Sequence, residues 1–162
     1  MPTRKKLMEV RPSSIQGLGA FAAARIAKGT RIIEYTGERI TPAEADRRYN
    51  DDASEHPHVL LFSVDSKTVI DAAVGGNEAR FINHSCEPNC AAVTDKRRIF
   101  IEALRDIQAG EELLYDYNLT RESDDDVALE QRYVCRCGAP SCRGTMLVPK
   151  DKQKKREARA RA

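Results

Sequence analysis

Nowhere in the 162 residues do apolar side chains run for anything near the ~20 positions that a membrane-spanning helix requires. The opening Met1-Pro2-Thr3-Arg4-Lys5-Lys6 is followed by no apolar segment of the kind that directs secretion. A signal-directed secreted protein and a membrane protein are therefore not expected. The expected place is inside a cell, in cytoplasm or nucleus on chromatin, of the producer or of a host to which the protein is delivered. Cysteine is scarce and odd in number, five in all, which argues against a disulfide framework and for a reducing compartment. No internal repeat is visible, and the length is that of one domain with a single core.

What is present is a chain 41% hydrophobic and 32% charged, enough for a packed interior beneath a strongly charged surface. The net charge of +2 hides an asymmetry. Lys150 to Ala162 carries seven basic and two acidic side chains, and Arg4, Lys5 and Lys6 add three more positive charges, so Leu7 to Pro149 stands at −6. An acidic body between basic ends favours a cationic substrate and disfavours nucleic acid across the main face. The ends retain the capacity for weak contact with phosphate.

The apolar stretches are short and bounded by Gly, Pro, Asp or Asn, which predicts strands at Leu7 to Val10, Arg31 to Tyr35, Val59 to Val64, Thr68 to Ile70, Arg98 to Glu102 and Glu112 to Tyr115. One helix is expected from Thr41 to about Tyr49, with Thr41 as N-cap, Pro42 in the first turn and Glu44 three residues after the cap. A shorter one is expected over Asn77 to Phe81. The fold class is thus mostly β. Glu122 to Asp126 reads as a solvated loop, and the tail from Lys150 as disordered or a frayed helix, since it has no apolar face to bury.

Cys135-Arg136-Cys137-Gly138-Ala139-Pro140-Ser141-Cys142 places three thiols within eight residues around a Gly and a Pro, the spacing of a metal knuckle. Zinc takes four ligands, so a fourth must come from elsewhere, with Cys86, Cys90 and His84 as candidates. Gly17-Leu18-Gly19, with Ala22, matches a G-x-G-x-x-A pattern, but Lys28-Gly29-Thr30 interrupts before a dinucleotide-binding helix could form. These glycines either let backbone approach another ligand or make a hairpin turn. Arg80-Phe81-Ile82-Asn83-His84-Ser85-Cys86-Glu87-Pro88-Asn89-Cys90 is too polar for a core strand and is expected to form a loop serving as the floor of a ligand site, anchored by Phe81 and Ile82. Tyr115 and Tyr117 share one face if Glu112 to Tyr117 is a strand, and paired phenols suit a narrow channel that binds an amine without carboxylates.

Taken in order, Gln16 to Gly19, Glu34-Tyr35-Thr36-Gly37, Gly76 to Cys90, Glu112 to Tyr117, and Cys135 to Gly138 through Cys142-Arg143-Gly144 resemble the SET-domain protein lysine methyltransferases with a post-SET zinc segment. The likeness runs from Glu9 to Leu147. It implies a SET fold of small β-sheets (a β-clip) in which the Asn83 to Cys86 and Tyr117 segments form a C-terminal pseudoknot. The implied divisions are a basic extension over 1–8, the SET domain over 9–120, an acidic linker over 121–132, the zinc-bound post-SET segment over 133–149 and a basic tail over 150–162. S-adenosylmethionine would be bound by Gly17, Leu18, Gly19, Arg80, Asn83 and His84. Tyr35 and Tyr117 would line the substrate lysine channel, with Tyr115 beside the amine, and these three are the catalytic candidates. The resemblance assigns Cys86 as fourth zinc ligand beside Cys135, Cys137 and Cys142, leaving Cys90 spare. It implies a basic protein or histone-like tail as substrate, and Tyr115, where the family alternates between Tyr and Phe, implies mainly monomethylation. Several relatives carry Tyr near Leu60, so a looser outer channel wall is expected here. No pre-SET cysteine cluster precedes Gly17, which suggests a minimal catalytic unit.

Two other readings compete. A non-catalytic, zinc-stapled module could hold chromatin or nucleic acid through the basic ends, binding that would be salt-sensitive and indifferent to Tyr117. A dinucleotide-dependent oxidoreductase built on Gly17 to Ala22 lacks the required strand-helix-strand spacing.

Overall fold

A computed structural model of the chain describes residues 5–49, 60–119, 131 and 133–149. The short apolar stretches become strands of at most six residues: β1 Met8–Pro12, β2 Leu18–Ala22, β3 Arg31–Tyr35, β4 Glu38–Ile40, β5 Leu61–Ser63, β6 Val69–Asp71, β7 Asn83–His84, β8 Cys90–Asp95, β9 Arg98–Ala103 and β10 Leu114–Tyr115. They form three small sheets, a β1-β2 hairpin, a five-stranded sheet in the order β3-β9-β8-β10-β7 and a three-stranded sheet in the order β4-β6-β5. The one helix longer than a single turn among the described residues, α1 Pro42–Arg48, starts as expected, with Thr41 Oγ1 accepting from the Glu44 N–H. A 3-10 turn follows at Glu78–Phe81, capped by the Asn77 side chain. No described helix is long and apolar enough to cross a membrane.

The unusual feature of the middle sheet is β10. It runs parallel to β7, pairing Leu114 with Asn83 and Tyr115 with His84, and parallel to β8 through Tyr115 and Cys90. A late segment thus lies between two earlier strands that only Ser85 to Asn89 connect. The main core gathers around it, from Tyr35, Ile82, Cys90, Ile99, Ile101, Leu113 and Tyr115, all buried. A second cluster of Tyr133, Cys135, Met146 and Leu147 packs beside Tyr117, and a third, of Ile40, Ala45 and Val69, lies under α1.

One buried carboxylate ties the small sheet to α1. Asp71, fully buried in β6, accepts from the Tyr49 hydroxyl at 2.8 Å, the Ala73 N–H at 3.0 Å and Arg48 at 3.2 Å. Arg48 also binds Glu38 and Glu44, so one guanidinium joins β4, α1 and β6.

Three sequence expectations change. Of the loop expected over Arg80 to Cys90, Asn83 and His84 instead enter the sheet as β7 and Cys90 begins β8, only Ser85 to Asn89 connecting them, with His84, Ser85, Asn89 and Cys90 buried. The segment's polar groups are tolerated because each finds a partner: the Asn89 side chain donates to Glu112 O and accepts from Leu114 N, and Ser85 Oγ accepts from Glu87 N. β8, β2 and β4 were not anticipated. The β8-β9 hairpin turns at Lys96 and Arg97 with φ of +48° and +63°, a turn ordinarily marked by Asn-Gly, so no turn signal was present. Gly17 (φ +43°) closes the turn between antiparallel β1 and β2, which settles the G-x-G-x-x-A pattern as a hairpin and removes the dinucleotide fold. Expectations for Met1 to Arg4, Val59, the acidic run Glu122 to Asp126 and most of its linker, and the tail from Lys150 fall outside the described residues.

Replacing Asp71 with Ala removes the acceptor shared by the half-buried Tyr49 hydroxyl, the Ala73 N–H and the Arg48 guanidinium and should cost about 2 kcal/mol, with Asp71→Asn losing less. Urea denaturation monitored by circular dichroism measures both; equal stability of Asp71→Ala and wild type would refute the role given to this carboxylate.

Candidate active site

A cleft opens between the β1-β2 turn, the 3-10 turn, β7 and the Cys135 segment. Its walls include Gln16, Gly17, Leu18, Arg80, Phe81, Asn83, His84 and Tyr117, together with Val134, Arg136 and Met146 from the C-terminal segment. Five of the six residues expected to hold a cofactor therefore meet here. Gly19 does not line the cleft: a Cβ on it would lie 2.2 Å from Glu112 Oε1, so its need for hydrogen is a matter of packing. That carboxylate, not among the expected site residues, fastens the site from behind the cleft. Glu112 Oε1 accepts from Ser13 Oγ at 2.8 Å and from Asn83 Nδ2 at 3.0 Å, while the same Asn83 amide donates to the carbonyls of Gln16 and Leu18. The turn that forms one lip is thereby fastened to β7 and to the segment before β10. Arg80 stands at the rim with its guanidinium over the Phe81 ring, 4.7 Å from its centroid.

His84 occupies the join between cleft and sheet. Its Nδ1 accepts from the Tyr117 N–H at 3.0 Å, and Nε2 lies 3.5 Å from Cys86 Sγ. Burial pushes its pKa down to about 4, against the pull of Asp116 and with a further push from Arg143, so the imidazole is neutral at physiological pH, as an accepting Nδ1 requires.

Behind the cleft the three tyrosines singled out in the sequence do come together. Tyr115 and Tyr117 ring centroids are 4.8 Å apart, and Phe62 bridges the rest of the layer at 6.4 Å from Tyr115 and 5.3 Å from Tyr35. Phe62 was not among the expected site residues, although its alternation with Leu60 was the available signal. The Tyr35 hydroxyl donates to Leu60 O, and the Tyr117 hydroxyl donates to Ile82 O at 2.5 Å. Burial pushes all three phenols above their ordinary pKa; nearby Asp71 pushes Tyr35 the same way, Tyr117 and Tyr35 do so for Tyr115, and Tyr35 and Glu112 for Tyr117. They stay neutral at any physiological pH, so they can orient and hydrogen-bond but do not act as bases. Tyr117 alone belongs to both the cleft and this aromatic layer.

The four cysteines assigned by resemblance also converge. Sγ atoms of Cys86, Cys135, Cys137 and Cys142 all lie within 4.8 Å of one another, with Cys86 at 3.7 Å from Cys135 and 3.9 Å from Cys142. A tetrahedron with Zn–S bonds of ~2.3 Å has S···S edges of roughly 3.8 Å, so this set could hold a zinc ion. Burial pushes the Cys137 thiol up, but donation from the backbone N–H groups of Cys86 and Ala139 outweighs it, and the neighbouring thiols help bring it to about 6. Cys90 lies apart in the core, where burial pushes its thiol up to about 11, so it stays protonated and unreactive.

Residues 17–118 match the family of the SET domain. A protein of Saccharomyces cerevisiae named histone-lysine N-methyltransferase, H3 lysine-4 specific, is 48% identical over 148 residues, covering 87% of this chain and 13% of the yeast protein. Proteins of the same name from Schizosaccharomyces pombe and Candida albicans are 45% and 46% identical over 89% and 87% of the chain. The chain spans 13–15% of the length of these three relatives.

Metal analysis of the purified protein should find one zinc per chain, lost in Cys86→Ser and Cys137→Ser and kept in Cys90→Ser. Loss in Cys90→Ser with retention in Cys86→Ser would overturn this choice of fourth ligand.

Proposed function

The chain belongs to the SET-domain family, and from that premise we propose that it is an S-adenosylmethionine-dependent protein-lysine N-methyltransferase with a structural zinc. The observation that carries the reading is the position of Tyr117, whose ring closes the cleft on one side and the aromatic layer on the other. A cofactor and an amine approaching from opposite faces would meet at that residue. A non-catalytic binding module has no need of such a layer.

The cleft suits the cofactor. Phe81, Val134 and Met146 offer apolar walls for an aromatic base, the backbone at Gly17 permits close approach, and Arg80 at the rim would take a carboxylate. When bound, the cofactor supplies an electrophilic methyl group on a sulfonium. The protein's own share is alignment of a neutral amine. A lysine of ordinary pKa ~10.4 is almost wholly protonated at neutral pH, and the dry wall of Tyr35, Phe62 and Tyr115 disfavours the ammonium form, so the proton leaves through water before the amine is seated. Tyr117 donates its hydroxyl proton to Ile82 O, which leaves the oxygen lone pairs free to accept an N–H of the entering amine and so set the amine's own lone pair on the line of transfer.

The acidic body favours a Lys- or Arg-rich peptide, and the relatives' names make a histone tail the leading substrate class, with chromatin the corresponding place of action. Monomethylation is the proposed main product. The hydroxyl of the buried Tyr115 would take the volume that a first methyl group needs in order to swing away from the attacking axis.

Tyr117→Phe should lose about 10²- to 10³-fold in methyl transfer to a histone H3 peptide while cofactor affinity by calorimetry changes little. Near wild-type turnover in that variant would refute the mechanism. Tyr115→Phe should keep its first step and gain di- and trimethyl products by mass spectrometry. Abundant trimethyllysine from the wild type, or an unchanged product pattern in Tyr115→Phe, would refute monomethylation.

A further inference from the structure

Tyr117 lies two residues beyond the end of β10, so its N–H no longer has a strand partner and goes instead to His84 Nδ1 at 3.0 Å. The residues on either side form a tight turn: Asp116 Oδ1 accepts from the Asn118 N–H at 3.0 Å, and Asn118 adopts a φ of +48°. The carboxylate at the centre of that turn is gripped from outside. Arg143 Nη1 donates to Asp116 Oδ2 at 2.8 Å and Arg143 Nη2 to Oδ1 at 3.2 Å, a two-point contact with both side chains largely buried. Arg143 is itself placed by the cysteine cluster. It follows Cys142, its backbone N–H donates to Cys86 Sγ at 3.4 Å, and Nη2 reaches Leu147 O. Its Nε is buried with no acceptor among the described residues, so the fork is directed wholly to Asp116 and the chain behind it.

We propose that Arg143 and Asp116 are positioning residues, whose ion pair makes the backbone geometry of Tyr117 depend on the folded cysteine cluster. The pair adds no atom to the reacting centre. It locks the turn that carries Tyr117 against His84, and so holds the Tyr117 hydroxyl at Ile82 O. Loosening it would misplace Tyr117 while leaving the four thiols intact, and a misplacement of ~1 Å at a reacting centre can cost as much as 10²-fold in rate. The consequence for turnover rests on the methyltransferase reading; the consequence for the Tyr117 backbone does not.

The test uses the full chain with Arg143→Met, Asp116→Asn, their double variant and Arg143→Lys. Zinc content and thermal midpoint establish that each is loaded and folded, hydrogen exchange of the Tyr117 amide reports its bond to His84, and steady-state kinetics on a histone H3 peptide separate kcat from KM. In both single variants the Tyr117 amide should exchange about tenfold faster or more, with the metal retained. Turnover should fall by about the same factor at unchanged peptide KM, and the double variant should be no worse than either single one, because both remove the same contact. Arg143→Lys, which can still place a cation on Asp116, should recover part of the protection. Unchanged Tyr117 exchange, losses that multiply in the double variant, or zinc release in Arg143→Lys would overturn the proposal. A wild type that transfers no methyl group, yet shows the expected exchange pattern across the variants, would refute the methyltransferase reading and leave the coupling standing.

Discussion

The site depends on a two-residue strand inserted between two others. β10 hydrogen-bonds on both sides, to β7 and to β8, and carries Tyr115 into the core with Tyr117 just beyond. So short a strand has few ladder bonds of its own, and the remaining backbone groups must be met by side chains. Asn89 meets Glu112 O and Leu114 N, and His84 meets Tyr117 N. The polar residues of the Asn83 to Cys90 segment are therefore the fastenings of the chain crossing. Some of them, Asn83 and His84, also face the cleft.

Burial then sets the chemistry available. Burial raises the phenols of Tyr35, Tyr115 and Tyr117 further above an ordinary value already well clear of neutral pH, so the layer offers hydrogen bonding, shape and exclusion of water but no base. The same desolvation that raises the tyrosines would favour the uncharged form of an entering lysine. One physical cause thus acts on both partners of the proposed reaction in the direction it requires.

The cysteine cluster brings the C-terminal segment to this centre. Cys86 and Cys135 are 49 residues apart, and closing that span places Val134, Arg136 and Met146 against the cleft that Gly17 and Arg80 begin. The cluster is in this way connected to the wall of the ligand site and, through Arg143 and Asp116, to the turn around Tyr117.

From the sequence alone came the mostly-β class, the capped helix at Thr41, the metal-knuckle spacing of Cys135 to Cys142 and the pairing of Tyr115 with Tyr117, because each is a local pattern of residue types a few positions apart. The family resemblance supplied Cys86 and the gathering of Tyr35 with the later tyrosines, which no spacing could reveal across such separations. The Arg80 to Cys90 segment was legible as the floor of a ligand site, and Asn83 and His84 do line the cleft, but its entry into the sheet was not, since its polarity argues for a loop until the partners that satisfy it, near Glu112, Leu114 and Tyr117, are known. Sequence reasoning missed β8 because Lys96 and Arg97 adopt a turn that their side chains do not announce. It placed Gly19 in the ligand site, where only the packed position of Glu112 shows that the missing side chain makes room for a carboxylate. What tertiary structure decided, then, is which polar groups are buried and by whom they are paired. That is a property of contacts between distant segments, and hydrogen-bond satisfaction in the interior is settled only once those segments have met.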